Sequence, residues 1–365
     1  MIKKKILKKA MRSLFIMSAS FAIYFFSQLL KNDHLGASLN IGGGIVEGGF
    51  KMKDYWVWDG SAIQTEDGKF HLFASRWPKK FPFRNGYLHY SEIVRASADK
   101  PEGPYTFQEV VLPNRVEGYF DGRMTHNPTI CKIGDQFVLF YIGSTYKGVC
   151  PTVEQLMYKY ESDVYQNIRI GMATAKAIGG PWHRLNTPIL APKSGSWDST
   201  IVTNPSPCIL ANGNIVLAYR SNTPKGLRVG IAIAKSLKDS FRRISNGPIG
   251  DFNIEDPYLW LNKDNFEIIA KDMTGELTGE KHAGVRLISK DCRNWMLAIT
   301  PKAYSRTISW SNLETKTLGS LERPQLLLLK NRPKYIFAAS ADNQGWEHDA
   351  ENTWITVRYV NNYAL

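Results

Sequence analysis

The amino-acid sequence predicts an all-β protein, a five-bladed β-propeller of four-stranded antiparallel blades preceded by an N-terminal apolar signal or anchor helix. Three observations predict it. Two short apolar strands joined by a polar turn recur five times, and the copies lie 52 to 77 residues apart. Outside the N-terminus, almost no segment shows the 3.6-residue period of a helix. Repeats of this length, each supplying one four-stranded unit, are the sequence signature of a propeller.

Residues 1–38 are predicted to be a signal peptide or membrane anchor. The sequence starts with MIKKKILKKAMR, and residues 13–30 then follow without a charge. A basic stretch before an apolar run is typical of an export signal or an uncleaved anchor, and a run of eighteen residues is just long enough to span a bilayer. The basic end should stay in the cytoplasm. We therefore expect an exported protein, periplasmic or extracellular, that meets a membrane only through this segment.

Residues 39–365 are predicted to form the propeller, a single catalytic domain. Each repeat opens with a polar residue beside Pro or Gly, runs as a strand, turns at Gly, Asp or Asn, and returns as a second strand. The five copies read WDGSAIQTEDGKFHLFAS from Trp58, HNPTICKIGDQFVLFYIG from His126, TNPSPCILANGNIVLAYRS from Thr203, EDPYLWLNKDNFEIIAKD from Glu255 and ERPQLLLLKNRPKYIFAAS from Glu322. Further strands are predicted within 93–107, 170–185, 229–244, 284–297 and 353–360.

The polar residues that open the repeats are predicted to converge on one site. The first strand of each propeller blade lines the central channel, so the starts of these strands face one end of it. The converging residues are Asp59, Asn127, Asn204, Glu255 with Asp256, and Glu322 with Arg323. Asp and Asn also cap turns, but turn caps need not include so many carboxylates.

The openings WDGSAI, TNPSPCIL and EDPYLW resemble the inner-strand motifs of the five-bladed β-propeller glycoside hydrolases, above all family 43 and its relatives, over roughly residues 50–365. This resemblance implies inverting hydrolysis of a glycosidic bond, with a general base on blade one, a modulating Asp on blade three and a general acid on blade four. Asp59 stands at the base position and Glu255 at the acid position.

The sequence departs from the family pattern at two of these positions. Asn204 stands where the family has the modulating Asp, and Asp198 or Asp121 could take over that role. Asp256 stands where the family has Gly, which makes it an alternative general acid. Glycoside hydrolysis needs one protonated and one ionised carboxyl group, and a neighbouring like charge raises the pKa of the acid.

Further residues are predicted to bind the carbohydrate. Trp77 offers a face for stacking on a sugar, Arg76 precedes it, and His126 can hydrogen-bond a sugar hydroxyl. Arg323 can bind a substrate hydroxyl or carboxylate or pair with a neighbouring acid. His282 lies in the polar connection 271–284 and is also an alternative general acid. The predicted substrate-binding set is Arg76, Trp77, His126, Asn127, Asn204, His282, Glu322 and Arg323.

Two other functions fit the same fold. One is a sugar-binding propeller without catalysis, which Asn204 favours; the other is a glycoside phosphorylase, for which Lys271, His282 and Arg323 could surround a phosphate. A nucleic-acid partner is not expected, because residues 1–33 carry +6 of the formal charge of +13 and the remaining basic residues are dispersed.

No cofactor is predicted to be required. The histidine and cysteine spacings predict no transition-metal site, although a calcium ion in the channel is compatible with some relatives of the family. The four cysteines are widely spaced; Cys131 and Cys208 lie in predicted strands and are expected to be small buried hydrophobes, with a disulfide as the alternative. The sequence shows no heptad or apolar stripe, so a monomer is predicted.

Overall fold

The computed structural model describes residues 39–158, 162–343 and 350–361 and confirms the ring of five four-stranded antiparallel sheets. Strands are numbered in chain order, and each blade is given from the channel outward. Blade one is β2 (Tyr55–Gln64), β3 (Phe70–Pro78), β4 (Glu92–Ala98) and β5 (Thr106–Leu112); blade two is β6 (Met124–Ile133), β7 (Gln136–Ser144), β8 (Arg169–Ala175) and β9 (His183–Arg184). Blade three is β10 (Thr203–Ile209), β11 (Ile215–Thr223), β12 (Gly226–Ala234) and β13 (Arg242–Arg243); blade four is β14 (Ile254–Asn262), β15 (Asn265–Asp272), β16 (Gly284–Ser289) and β17 (Trp295–Tyr304). Blade five is β20 (Ser320–Leu329), β21 (Arg332–Ala341), β22 (Thr353–Asn361) and β1 (Asn40–Gly44), and β18 (Thr307–Ser309) with β19 (Thr315–Thr317) forms a hairpin before it.

The fifth blade joins the two ends of the described chain. The strand predicted within 353–360 is confirmed as β22, and it pairs with β21 on one side. Its other neighbour is β1, which the repeat pattern did not predict because this strand lies before the first repeat. Strands from both ends of the chain therefore close the ring with backbone hydrogen bonds.

The inner strands are buried on both faces because each blade is packed between two others. Strands β2, β6, β10, β14 and β20 contact one another in cyclic order around the channel. On the second strands, the apolar side chains of Leu72, Phe140, Leu217 and Phe337 are fully buried between the blades. This explains why the second strands read as largely apolar runs, whereas the inner strands open with polar residues.

Each inner strand contains a β-bulge at the same place, directly after its first few residues. A non-glycine residue with φ between 51° and 66° stands at every bulge. These bulge residues are Asp59, Asn127, Asn204, Asp256 and Arg323. Asp and Asn tolerate the left-handed conformation better than most residues, and a bulge re-aims the side chains around it. The predicted convergence of the repeat openings is therefore built into the backbone.

Among the residues that the structure describes, three short helices depart from the nearly helix-free body that the sequence predicted. Helix α1 (Phe83–Tyr90) lies between β3 and β4, and helices α2 (Val153–Tyr158) and α3 (Ser162–Gln166) lie between β7 and β8. Helices of five to eight residues give too few turns for a recognisable period. These insertions stand at the same end of the blades as the bulges.

The predicted signal or anchor helix falls within residues 1–38, outside the described residues. Within the described ranges, no helix combines the length and apolar character needed to cross a bilayer. The four cysteines are free thiols, and Cys208 and Cys292 are buried.

Candidate active site

The five bulge residues form a closed polar ring, which is the floor of the site. The Asn204 side chain donates from Nδ2 to Asp256 Oδ1 at 2.6 Å, and the Arg323 backbone N–H donates to Asp256 Oδ2 at 3.0 Å. The Asn127 backbone N–H donates to Asp59 Oδ2 at 3.0 Å. With its amide oriented to satisfy both neighbours, Asn127 also donates to Asp59 Oδ1 and accepts from Asn204 Nδ2 at 2.9 Å. All five side chains are buried, so each blade contributes one group to a continuous network.

Arg323 lies across the channel beneath the cavity and is not placed to contact a sugar. Its Nη2 donates to the Pro205 carbonyl at 3.0 Å and to Thr129 Oγ1 at 3.3 Å, while Nε is 3.8 Å from Asp59 Oδ1. The side chain is 1% exposed. The predicted substrate contact is therefore corrected to a structural one, in which the guanidinium links blade five to blades one, two and three.

The channel floor does not fit a calcium ion. Calcium takes six to eight oxygen ligands, whereas the buried Arg323 guanidinium already supplies a positive charge to the oxygen atoms that surround it. Among the described residues, no group of three or more His, Cys, Asp or Glu side chains could hold a metal.

We expect Arg323→Met to lower the free energy of unfolding by about 3–5 kcal/mol, because it leaves the buried Asp59 carboxylate without its cation. Urea denaturation at pH 7 measures the change. Arg332→Met on strand β21 removes an exposed arginine and is the matched control. A loss equal to that of the control would contradict the assigned role of Arg323.

Above the floor, a cavity of about 300 Å³ opens at the axis. The residue directly before each bulge lines it, together with several residues on the neighbouring second strands. The wall residues before the bulges are Trp58, His126, Thr203, Glu255 and Glu322. Tyr87 from α1, Tyr165 from α3 and His282 from the connection after β15 complete the rim. A volume of this size suits one sugar residue rather than a long oligosaccharide.

The wall is mainly apolar on one side and charged on the other. Blades one and two contribute Trp58, Tyr87, Ile142 and Ile168 together with Arg84 and His126, whereas blades three to five contribute the ion pairs. Lys271 Nζ lies 2.7 Å from Glu255 Oε2 and 3.1 Å from Glu322 Oε1, and Arg220 Nη2 lies 3.0 Å from Glu255 Oε1. A sugar ring could place its C–H face on the apolar side and its hydroxyl groups on the charged side.

The two adjacent carboxyl groups on β14 have opposite electrostatic environments. Burial alone would raise the pKa of Glu255, but Lys271 and Arg220 lower it to about 2. Burial and the negative charge of Glu255 raise the pKa of Asp256 to about 7. Because the groups are coupled, the pair holds one proton up to about pH 7, mainly on Asp256. Glu255 is therefore ionised and Asp256 protonated at mildly acidic pH.

Asp59 belongs to the floor and His126 to the wall, and both are held by hydrogen bonds to neighbouring protein groups. Asp59 is 1% exposed and is not part of the cavity wall; it accepts hydrogen bonds from Ser75 Oγ and the Asn127 backbone. The His126 ring contributes to the wall, but its Nδ1 is 2.8 Å from Ser91 Oγ and its Nε2 is 3.5 Å from Asp59 Oδ2. Burial lowers the pKa of His126. Both ring nitrogens thus face protein groups.

Arg76 and Trp77, which were predicted to bind sugar, lie outside the cavity. Trp77 is fully buried and packs against Phe83 at 5.3 Å and His126 at 5.6 Å between ring centroids. Arg76 pairs with Glu92 at 2.9 Å. Sequence reasoning took the Trp for an exposed platform, but α1 covers this position. The structure gives Trp77 a packing role and Arg76 a structural ion pair.

Asp121 and Asp198 do not replace the third-blade Asp. Both are fully buried outside the cavity wall. Each accepts a hydrogen bond from a tyrosine of the second strand and forms an ion pair with an arginine of the outer strand. The partners are Tyr141 and Arg184 for Asp121, and Tyr219 and Arg243 for Asp198. The same arrangement of an aspartate between a tyrosine and an arginine therefore recurs in blades two and three.

Sequence reasoning missed Arg220, Tyr165 and Trp58 and considered Lys271 only as a phosphate ligand. Arg220 is the cross-strand partner of Thr203, and Lys271 is the partner of Glu255. A signal was present, because Arg220 in VLAYRS and Lys271 in IIAKD end the same strand of successive repeats. Aligning the second strands as well as the first would have found both.

Comparison with known proteins agrees on the fold. Family 117 glycoside hydrolase Zg3597 from Zobellia galactanivorans is 14% identical over 89% of this chain and 90% of its own, with a TM-score of 0.63. A thermostable family-43 glycoside hydrolase is 10% identical over 90% and 94%, with a TM-score of 0.57. The α-L-arabinofuranosidase PaAbf62A from Podospora anserina, solved with cellotriose, is 10% identical over 91% and 99%, with a TM-score of 0.59.

The fold is that of the five-bladed propeller glycoside hydrolases. The resemblance inferred from the motifs is thereby confirmed as a likeness of structure. No protein-family model matches the sequence, and no curated protein does.

Proposed function

We propose that this protein is a glycoside hydrolase that cleaves a glycosidic bond in the axial cavity. The observation that carries the proposal is the pair Glu255 and Asp256, in which the surroundings separate the two pKa values to about 2 and about 7. Two carboxyl groups held in different protonation states are what glycoside hydrolysis requires. The structural likeness to named glycoside hydrolases supports the same function.

In the proposed reaction, Asp256 is the general acid and Glu255 the general base. Asp256 donates its proton to the leaving oxygen as the bond from the anomeric carbon to that oxygen breaks. Glu255 takes a proton from the water whose oxygen bonds to the anomeric carbon. Exchange with solvent then removes the proton from Glu255 and returns one to Asp256. The motif resemblance placed the acid at Glu255, but two cations beside that carboxylate favour its ionised form.

The remaining predicted residues have supporting places in this proposal. Asp59, predicted as the base from the resemblance, anchors Asn127 and Arg323 beneath the reacting pair. Asn204 holds Asp256 through a hydrogen bond to Oδ1. His282 stands at the cavity rim as an alternative proton donor. Inversion at the anomeric carbon and export of the protein are part of the proposal.

The test is hydrolysis by the full-length protein of a panel of aryl glycosides and plant and algal oligosaccharides, with proton NMR of the first product. We expect release of one sugar with inverted anomeric configuration. Retention would contradict the inverting course. Oligosaccharide binding without any turnover would favour the non-catalytic sugar-binding propeller instead, and turnover that requires inorganic phosphate would favour a phosphorylase.

A further inference from the structure

Arg220 contacts three parts of the site at once. Its Nε donates to Asn204 Oδ1 at 2.9 Å in the floor ring, and its Nη2 lies 3.0 Å from Glu255 Oε1 in the wall. Its Nη1 donates to the Tyr165 hydroxyl at 3.2 Å in helix α3 of the blade-two insertion, and also to Asn222 Oδ1. All three nitrogens of the guanidinium are used.

A planar guanidinium fixes its partners relative to one another because its N–H groups have set directions. Arg220 is 6% exposed and therefore cannot turn toward solvent without breaking these bonds. A lysine at position 220 would keep the positive charge but not the directed N–H groups of the guanidinium. Arg220→Lys therefore distinguishes a residue that orients Glu255 from one that only neutralises its charge.

We propose that Arg220 is a positioning residue that aligns the Glu255 carboxylate with the floor ring and couples it to the blade-two insertion through Tyr165. The inference rests on the proposed hydrolase function for its kinetic consequences. The contacts themselves do not depend on that function. The other charged groups that act on Glu255 are Lys271, His282 and Asp256.

The kinetic test compares Arg220→Lys, Tyr165→Phe and the matched control Arg228→Lys. Arg228 is a buried arginine of the same blade that pairs with Asp251 at 2.6 Å, outside the cavity wall. We expect Arg220→Lys to lower kcat by about 100-fold with little change in KM, because a small misplacement of a catalytic group has this effect. Tyr165→Phe removes the hydrogen bonds that the hydroxyl accepts from Arg220 and, at 3.3 Å, from Asn222 Nδ2. Loss of the bond to Arg220 should lower kcat about fivefold, the effect of one hydrogen bond.

Two kinetic outcomes would overturn the inference. If Arg220→Lys keeps the wild-type kcat, the positive charge alone is enough for turnover and the guanidinium geometry has no positioning role. If Tyr165→Phe raises KM and leaves kcat unchanged, the insertion contacts the sugar directly instead of acting through Arg220.

A second measurement needs no activity and uses Arg220→Gln with Arg228→Gln as its control. The pKa of Glu255 is about 2 in the folded protein and has its ordinary value of 4.5 in the unfolded chain, so its contribution to stability is lost as pH falls from 4.5 toward 2. In Arg220→Gln the pKa of Glu255 should be lowered less, so that less stability is lost over this pH range. The urea midpoint of this variant should therefore fall less steeply than that of the wild type as the pH is lowered from 4.5 toward 2. An unchanged slope would refute the contact. A wild-type protein inactive on every substrate would refute the proposed function and leave this measurement to decide the inference.

Discussion

Glu255→Gln is expected to reduce turnover on the order of 10³-fold, within the range for a positioned acid or base. The amide has nearly the shape of the carboxylate but cannot take a proton from water. Lys271 keeps its pairing with Glu322 at 3.1 Å, and Arg220 keeps its bonds to Asn204 and Tyr165. The variant should therefore fold, which near-ultraviolet circular dichroism checks, and the loss should appear in kcat.

Glu66→Gln is the matched control for this variant. Glu66 is an exposed carboxylate that pairs with Lys132 at 2.6 Å, far from the cavity. It should retain wild-type kcat. A Glu255→Gln protein that is folded and retains more than a tenth of wild-type turnover would rule out Glu255 as the base and turn attention to Glu322.

The repeats made the fold predictable because each blade uses the same local chemistry. An apolar pair of strands with a polar opening identifies one blade, and five copies identify the ring. Strand β1 lies outside this pattern, and its place in blade five depends on pairing across the whole chain. Helix α1 was equally hidden, since its burial of Trp77 arises from tertiary packing. Non-local contacts of this kind leave no periodic mark in the sequence.

The sequence predicted which residues lie in the site better than it predicted what each of them does there. The openings of the repeats identified the residues of the floor and much of the wall, including Glu255, Asp256 and Glu322. The bulges then separate adjacent residues into two layers, so that Asp256 joins the floor and Glu255 the wall. The ionisation of each depends on Lys271 and Arg220 from the neighbouring strands, and the motif around Glu255 does not contain that information.

The second large effect is expected for Asp256→Asn, which removes the proposed proton donor. In the wild-type protein the acid must be protonated, and its pKa is raised to about 7. The rate should therefore be level in mildly acidic solution and fall about tenfold for each unit of pH above 7, because the protonated fraction falls in that proportion. In Asp256→Asn this fall in rate above pH 7, the alkaline limb of the profile, should disappear, and kcat on a natural oligosaccharide should drop on the order of 10³-fold.

The leaving group separates loss of the acid from general damage to the site. An aryl glycoside with an acidic phenol needs little protonation of its leaving oxygen, so Asp256→Asn should lose far less activity on it than on an alkyl glycoside. Asp251→Asn, at an exposed carboxylate paired with Arg228, should leave both rates and the pH profile unchanged. Equal losses on both substrates, with the alkaline limb still at pH 7, would exclude Asp256 as the acid. The same profile measured on His282→Asn would then decide whether the rim histidine donates the proton, because its removal should abolish the limb that Asp256→Asn left in place.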